Sequence, residues 1–192
     1  MPRIQPIDMD QTEGKAKTLL EGVNKAMGMT PNLMRTLAHS PAVLEAFLGF
    51  GKALGTGGLS PKLREQIAIT VARINGCDYC LAGHSAFGKK VGLDDGELRA
   101  NMNAESSDAK VKAALQFAKA IVDEKGWVTD EQYEAVRAAG FGHGEILEIL
   151  AVVAINTFTN YVNHLAQTEV DFPAVEVGEP TTACACGLPQ EA

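Results

Sequence analysis

Apolar residues recur three and four positions apart along nearly the whole chain, and the residues that interrupt them are those that start and stop helices. A first helix is predicted from about Gln11 to Met27, with Leu19, Leu20, Val23 and Met27 on one face and Gly28 behind it. Thr30-Pro31, Ser40-Pro41 and Ser60-Pro61 each offer a hydroxyl for an N-cap and a proline for the first helical position, where its missing N–H costs nothing. Gly55-Thr56-Gly57-Gly58 reads as a flexible loop, and without a Gly-Lys-Ser/Thr ending it is no phosphate-binding loop. Later helices are predicted to begin near Ser107 and at Thr129, where Gln132 completes a capping box. The last, about His143 to Gln167, is the most apolar.

Ile67, Ile69 and Val71 alternate as in a buried strand, but Leu63, Ile67, Val71 and Ile74 fit a helical stripe, and the Ser-Pro start favours helix. The expected fold class is therefore all-α, a compact multi-helix bundle. An echo at a shift of 80 positions lays Glu65 and His84 over Glu145 and His164, and suggests two pseudo-repeated helical halves. Residues 1–170 read as a single domain. From Asp171 to residue 192 the periodicity stops, and an irregular tail carrying Cys184-x-Cys186 is expected.

The chain has 192 residues, with 17 Lys+Arg against 24 Asp+Glu, a net charge of −7. That acidity argues against binding nucleic acid or an anionic membrane. The longest apolar run, Ile149 to Ile155, is far shorter than the ~20 residues of a membrane span, and no apolar stretch follows Arg3, so a cytoplasmic protein is expected. Cys77 and Cys80, like Cys184 and Cys186, are too close in sequence to staple distant elements; in a reducing compartment such pairs point to redox chemistry or metal.

The informative stretch runs from Glu65 to His84. Gly76 ends one helix and Cys77-Asp78 opens the next, which places Cys80 in its first turn among unpaired N–H groups at the positive end of the helix dipole. That environment favours thiolate, the nucleophilic form. Cys77 lies one turn away, near enough for a disulfide and, at the helix mouth, expected to be the more exposed of the two. His84 is four residues beyond Cys80 on the same face, and antiparallel packing can bring Glu65 over His84 to orient it. Thiol, base and orienter are the parts of an activated nucleophile.

Other chemistries fit less well. Covalent haem attachment needs histidine where Leu81 stands, and a thioredoxin-like fold needs a strand before the motif. Zinc could take Cys77, Cys80 and His84 but lacks a fourth ligand nearby; two inert core cysteines with a surface histidine is the plain alternative. The expected site needs no cofactor and no resident metal. Asn156, Asn160 and Asn163 stripe an otherwise apolar helix, and hydrogen bonding between helices or subunits is expected of them ahead of a pocket role. His39 and His143 read as surface or capping residues. Cys184 and Cys186 could form a mobile dithiol relay, though an incidental mobile tail is the favoured reading.

Glu65-x11-Cys77-x-x-Cys80-x-x-x-His84 on two consecutive helices resembles the signature of the alkylhydroperoxidase D-like proteins of the carboxymuconolactone decarboxylase superfamily. Pro31-Asn-Leu-Met34 and the stretch from Glu145 through Asn160, His164 and Thr168 to Pro173 are similar to peroxidase-related members. The resemblance implies an all-helical fold assembling as trimers or hexamers, and a thiol peroxidase cycle. In it Cys80 attacks a hydroperoxide and becomes a sulfenic acid, Cys77 condenses with it, and a lipoamide- or thioredoxin-like dithiol reduces the disulfide. Glu65 and His84 are implied as the proton relay. Tyr79 stands where the best-studied members carry a second histidine; its phenol, with a pKa near 10, can donate a hydrogen bond or guide a proton but is a poor base. The alternatives are a cofactor-free lyase of the decarboxylase type and a redox-inert oligomeric scaffold.

Overall fold

The computed structural model describes residues 1–173, and among them it contains nine α-helices and no strand. They are α1 (Gly14–Met27), α2 (Asn32–Leu37), α3 (Pro41–Leu54), α4 (Pro61–Ile74), α5 (Asp78–Lys90), α6 (Asp95–Asn101), α7 (Ala109–Asp123), α8 (Asp130–Ala138) and α9 (His143–Ala166).

The centre is α4, packed against α5, α6, α7 and α9. Eight of its residues, Leu63, Gln66, Ile67, Ala68, Ile69, Thr70, Val71 and Ala72, are buried. A helix covered on every side has no polar stripe to mark its period, which is why this segment could also be read as a strand. Ile69 and Ala72 face one apolar cluster, which includes Leu20, Leu44 and both cysteines. Ile67 and Val71 face a second, built with Leu115, Phe141 and Ile149.

Of the three hydroxyl-proline starts, only Ser60 caps as expected, accepting from the Leu63 N–H at 3.1 Å. Ser40 stands at the N-cap of α3 without a side-chain bond. At Thr30-Pro31 the helix begins one residue late, with Pro31 at the N-cap and Asn32 first in α2; the Asn32 N–H is met instead by Asp171 Oδ2 at 2.7 Å. The Thr129–Gln132 capping box is present. Helix α6 answers to no predicted element, although Asp94 caps the Glu97 N–H at 2.8 Å. Glu97 also accepts from Ser107, Ser106 and Asn101; those hydrogen bonds, Ser107's foremost, lower its pKa to about 2 against the opposing effect of burial, and they tie α6 to the start of α7.

The internal echo does not correspond to a structural repeat. Glu65 and His84 lie on two helices that fold back on each other, whereas Glu145 and His164 lie on the single helix α9. Nineteen residues of helix separate the second pair by about 28 Å. Glu145 accepts from the Gly142 N–H at 2.8 Å, a cap.

By length and composition alone α9 could cross a bilayer. Here it is a core helix, packed on α3, α4, α5 and α7, and its outer face leaves Leu147, Leu150, Phe158, Tyr161 and Leu165 exposed.

The chain after α9 is part of the domain for longer than expected. Asp171 and Phe172, placed in the tail from sequence, return across α2 and α5: Asp171 Oδ1 accepts from the Tyr79 hydroxyl at 2.7 Å, and the Phe172 ring meets Tyr79 and Phe87 edge-on. Cys184 and Cys186 lie outside the described residues.

Candidate active site

The α4–α5 turn sets the geometry. Gly76 adopts φ 66°, a left-handed conformation that glycine reaches without strain. The Cys77 N–H reaches back to Ala72 O at 2.9 Å and the Gly76 N–H to Arg73 O at 3.2 Å, the paired bonds of a Schellman stop. Cys77 is at once the residue that completes this stop and the N-cap of α5, its Sγ accepting from the Cys80 N–H at 3.4 Å. The two helices therefore run antiparallel from a turn of three residues, and Glu65 meets His84: Oε2 lies 2.8 Å from Nδ1. Both side chains keep about a quarter of their surface exposed, 24% and 25%.

The thiols are free and buried, Cys77 2% and Cys80 4% exposed. The expected exposure of Cys77 is not found: a residue at a helix mouth is open only if nothing covers the mouth, and here α9 does. From α9, Asn163 Nδ2 donates to Cys80 Sγ at 3.1 Å and approaches Cys77 Sγ at 3.9 Å. The access route leads to Cys80. A pocket of 170 Å³ opens over it, lined by His84, Phe47, Phe87, Phe172 and Asn156 among others, and Cys77 does not line it.

The electrostatics separate the sulfurs. The hydrogen bond from the Cys77 thiol does most to lower the Cys80 pKa, to about 6; burial opposes it, and His84, Asn160 and Asn163 add to it. Cys77 is pushed far up, as the thiol that donates to its neighbour and is buried beside it. His84 is raised: burial works against its positive charge, but the Glu65 carboxylate and its hydrogen bond, with the Cys80 thiolate, outweigh it. The shifts therefore run in one direction: each group's neighbours favour the thiolate at Cys80, the thiol at Cys77 and the proton on His84.

Tyr79 points elsewhere. Its hydroxyl donates to Asp171 and accepts from the Leu33 N–H at 3.0 Å, so it joins α5 to α2 and to the returning chain, and burial first of all raises its pKa. Its ring still lines the pocket.

The asparagine stripe bonds between helices, as expected, and does so at this site. Asn163 holds the sulfurs, Asn156 bonds to Val152 O and lines the pocket, and Asn160 accepts from Asn75 at the α4–α5 turn. The spacing of three and four residues was visible in sequence; the partner was not, because nothing local says which helix α9 covers. Among the described residues no three His, Cys, Asp or Glu side chains gather in a way that could hold a metal ion. His39 and His143 bond to Gln5 O and the Tyr133 hydroxyl, away from the site.

The carboxymuconolactone decarboxylase family matches residues 41–124, which contain α3 to α7 and all of Glu65, Cys77, Cys80 and His84. A sequence comparison with curated proteins finds no match. Among solved structures, a peroxidase-related protein from Ralstonia eutropha JMP134, described as an alkylhydroperoxidase AhpD core, superposes with a TM-score of 0.78 at 24% identity, covering 88% of this chain and 92% of that one. A peroxidase-related protein from Silicibacter sp. TM1040 gives 0.76 at 24% identity over 87% and 92%. A cysteine-to-alanine variant of the debrominase Bmp8, in complex with 2,3,4-tribromopyrrole, gives 0.76 at 20% identity over 88% and 91%. These likenesses establish the fold.

Proposed function

We propose that the chain, whose residues 41–124 match the carboxymuconolactone decarboxylase family and whose fold is alkylhydroperoxidase D-like, is a thiol-dependent peroxidase and disulfide oxidoreductase of that superfamily. The observation that carries the proposal is the division of labour between the two sulfurs: one lowered to about 6 beneath an open pocket, the other raised and held behind it.

The Cys80 thiolate attacks the outer oxygen of a hydroperoxide. An S–O bond forms as the O–O bond breaks, and the departing alkoxide needs a proton. His84, held protonated by Glu65, supplies it. The Cys77 thiol then attacks the sulfur of the Cys80 sulfenic acid, and water leaves with the formation of the disulfide. Because Cys77 does not reach the pocket, a lipoamide- or thioredoxin-like dithiol meets Cys80 first, or waits for local opening at the α5 N-terminus. A reducing cytoplasm is the setting in which such a pair would cycle. The proposed assembly is a homo-oligomer, a trimer or hexamer, buried through the outer face of α9, where Leu147, Leu150, Ala154, Phe158, Tyr161 and Leu165 follow a three-and-four spacing and are all exposed.

One observation favours a second reaction at the same dithiol. The pocket wall over Cys80 is largely aromatic and aliphatic, Phe47, Phe87, Phe172 and Ile155, which suits a flat apolar ring such as the brominated pyrrole in the Bmp8 complex. There the two thiols would supply two electrons, bromide would leave, the ring carbon would gain a proton and the disulfide would form. Comparing hydroperoxide consumption with bromide release from 2,3,4-tribromopyrrole, each with dithiothreitol as reductant, separates the two. The peroxidase proposal expects the first to be faster, and bromide release alone would replace it.

A further inference from the structure

Helix α9 sets two amides beside the Cys80 sulfur, and each has one buried polar atom that completes no hydrogen bond. Asn160 is fully buried. Its Oδ1 accepts from Asn75 Nδ2 at 2.8 Å, which fixes the amide's orientation and turns Nδ2 toward the Cys80 sulfur, near enough to favour the thiolate but without a formed hydrogen bond. Asn163, 4% exposed, spends Nδ2 on the sulfurs and leaves Oδ1 as a spare acceptor. Spare donors and acceptors in a core are a standing cost, and two of them three residues apart around one sulfur call for a common explanation. Together they are the complement of a hydroxyl group carried by that sulfur.

We propose that Asn160 and Asn163 form the receptor for the oxygen that Cys80 acquires from the hydroperoxide. This rests on the reading of Cys80 as the sulfur attacked. In that step the sulfur is oxidised by two electrons, the O–O bond is reduced, the alcohol leaves with the proton from His84, and the transferred oxygen stays as S–O–H. Its oxygen accepts from Asn160 Nδ2 and its proton is donated to Asn163 Oδ1. The same contacts serve the next step, since a hydrogen bond to the departing oxygen assists its loss as water when Cys77 attacks the sulfur. Asn163 therefore serves twice, with Nδ2 toward the thiolate and Oδ1 toward the sulfenic acid.

The test uses the full chain carrying Cys77→Ser, Cys184→Ser and Cys186→Ser, so that no second thiol can resolve the intermediate, and one equivalent of cumene hydroperoxide as probe. Trapping with a dimedone-type reagent and intact mass follow the sulfenic acid and its over-oxidation. Adding Asn160→Ala should speed the loss of the sulfenic acid roughly tenfold, the scale of one hydrogen bond. Should that variant fold poorly, the structure of the oxidised parent protein decides: the oxygen should lie within hydrogen-bonding distance of Asn160 Nδ2 and Asn163 Oδ1. An unchanged lifetime in folded Asn160→Ala, or an oxygen pointing toward Phe172 with a water on Asn160, overturns the assignment. If the parent protein forms no sulfenic acid at all, the peroxidase reading fails and takes this assignment with it.

Discussion

Removing the Cys77 thiol while leaving Cys80 in place changes the group that does most to lower the Cys80 pKa to about 6 from the ordinary 9.0. At pH 7 that lowering raises the thiolate fraction from about 1% to about 90%. A weaker base is also a weaker nucleophile: over three units a Brønsted slope of about 0.4–0.5 takes back roughly 15- to 30-fold. The net gain near neutrality is therefore only about 3- to 6-fold, but at pH 5, where the thiolate ratio is about 900-fold, it reaches roughly 30- to 60-fold. The advantage of the site is thus its persistence into mild acid. The assay is the rate of Cys80 alkylation by iodoacetamide against pH, read by mass at the residue. Wild type should titrate with a midpoint of about 6, and Cys77→Ala should move the midpoint upward and lose most of its rate below neutrality. A wild-type midpoint in the ordinary thiol range, or a midpoint that Cys77→Ala leaves in place, would refute the reasoning.

Glu65→Gln should slow peroxide consumption by about 10²–10⁴-fold while leaving alkylation of Cys80 far less affected, since the carboxylate acts on the proton His84 delivers; stopped-flow turnover against alkylation rate checks this. The raised His84 pKa gives that pair a stabilising effect fully present below the ordinary imidazole value and lost as pH rises through the raised one, so the melting-temperature gap between wild type and Glu65→Gln should be wider in mild acid than in mild alkali. Asp171→Ala unpairs the Tyr79 hydroxyl and the Asn32 N–H and should cost about 1–3 kcal/mol in denaturant titration, with faster amide exchange in α2; unchanged stability would mean that the returning chain is only draped over the site. Light scattering should return a multiple of 20.4 kDa, and Phe158→Lys with Leu165→Lys should reduce it toward one chain; a wild-type monomer at micromolar concentration would contradict the assembly.

What could be read from the sequence divides along local and non-local lines. Gly76, the N-cap at Cys77 and the Glu65–His84 pairing follow from a stop, a start and two helical periods, all within twenty residues, and they are legible without knowing the rest of the fold. Helix α6 leaves little trace in the sequence because seven residues hold too few periods to register, although Asp94 before Glu97 is a cap signal. Asn163 and Asp171 are the contrary case. Each acts on residues more than eighty positions away, and Asp171 sits in a stretch whose composition reads as tail. The burial of Cys77 is non-local too, since the α5 mouth is closed by α9. The Glu145–His164 echo misled because matched spacing says nothing about whether a turn lies between the two residues.

The most direct measurement of the central claim is a thiol count with disulfide mapping, before and after one equivalent of cumene hydroperoxide on the fully reduced chain. The account predicts that two thiols are lost per peroxide consumed, that the new disulfide joins Cys77 to Cys80, and that Cys80→Ser consumes no peroxide. Peroxide left unconsumed by wild type, or consumed equally well by Cys80→Ser, would contradict it.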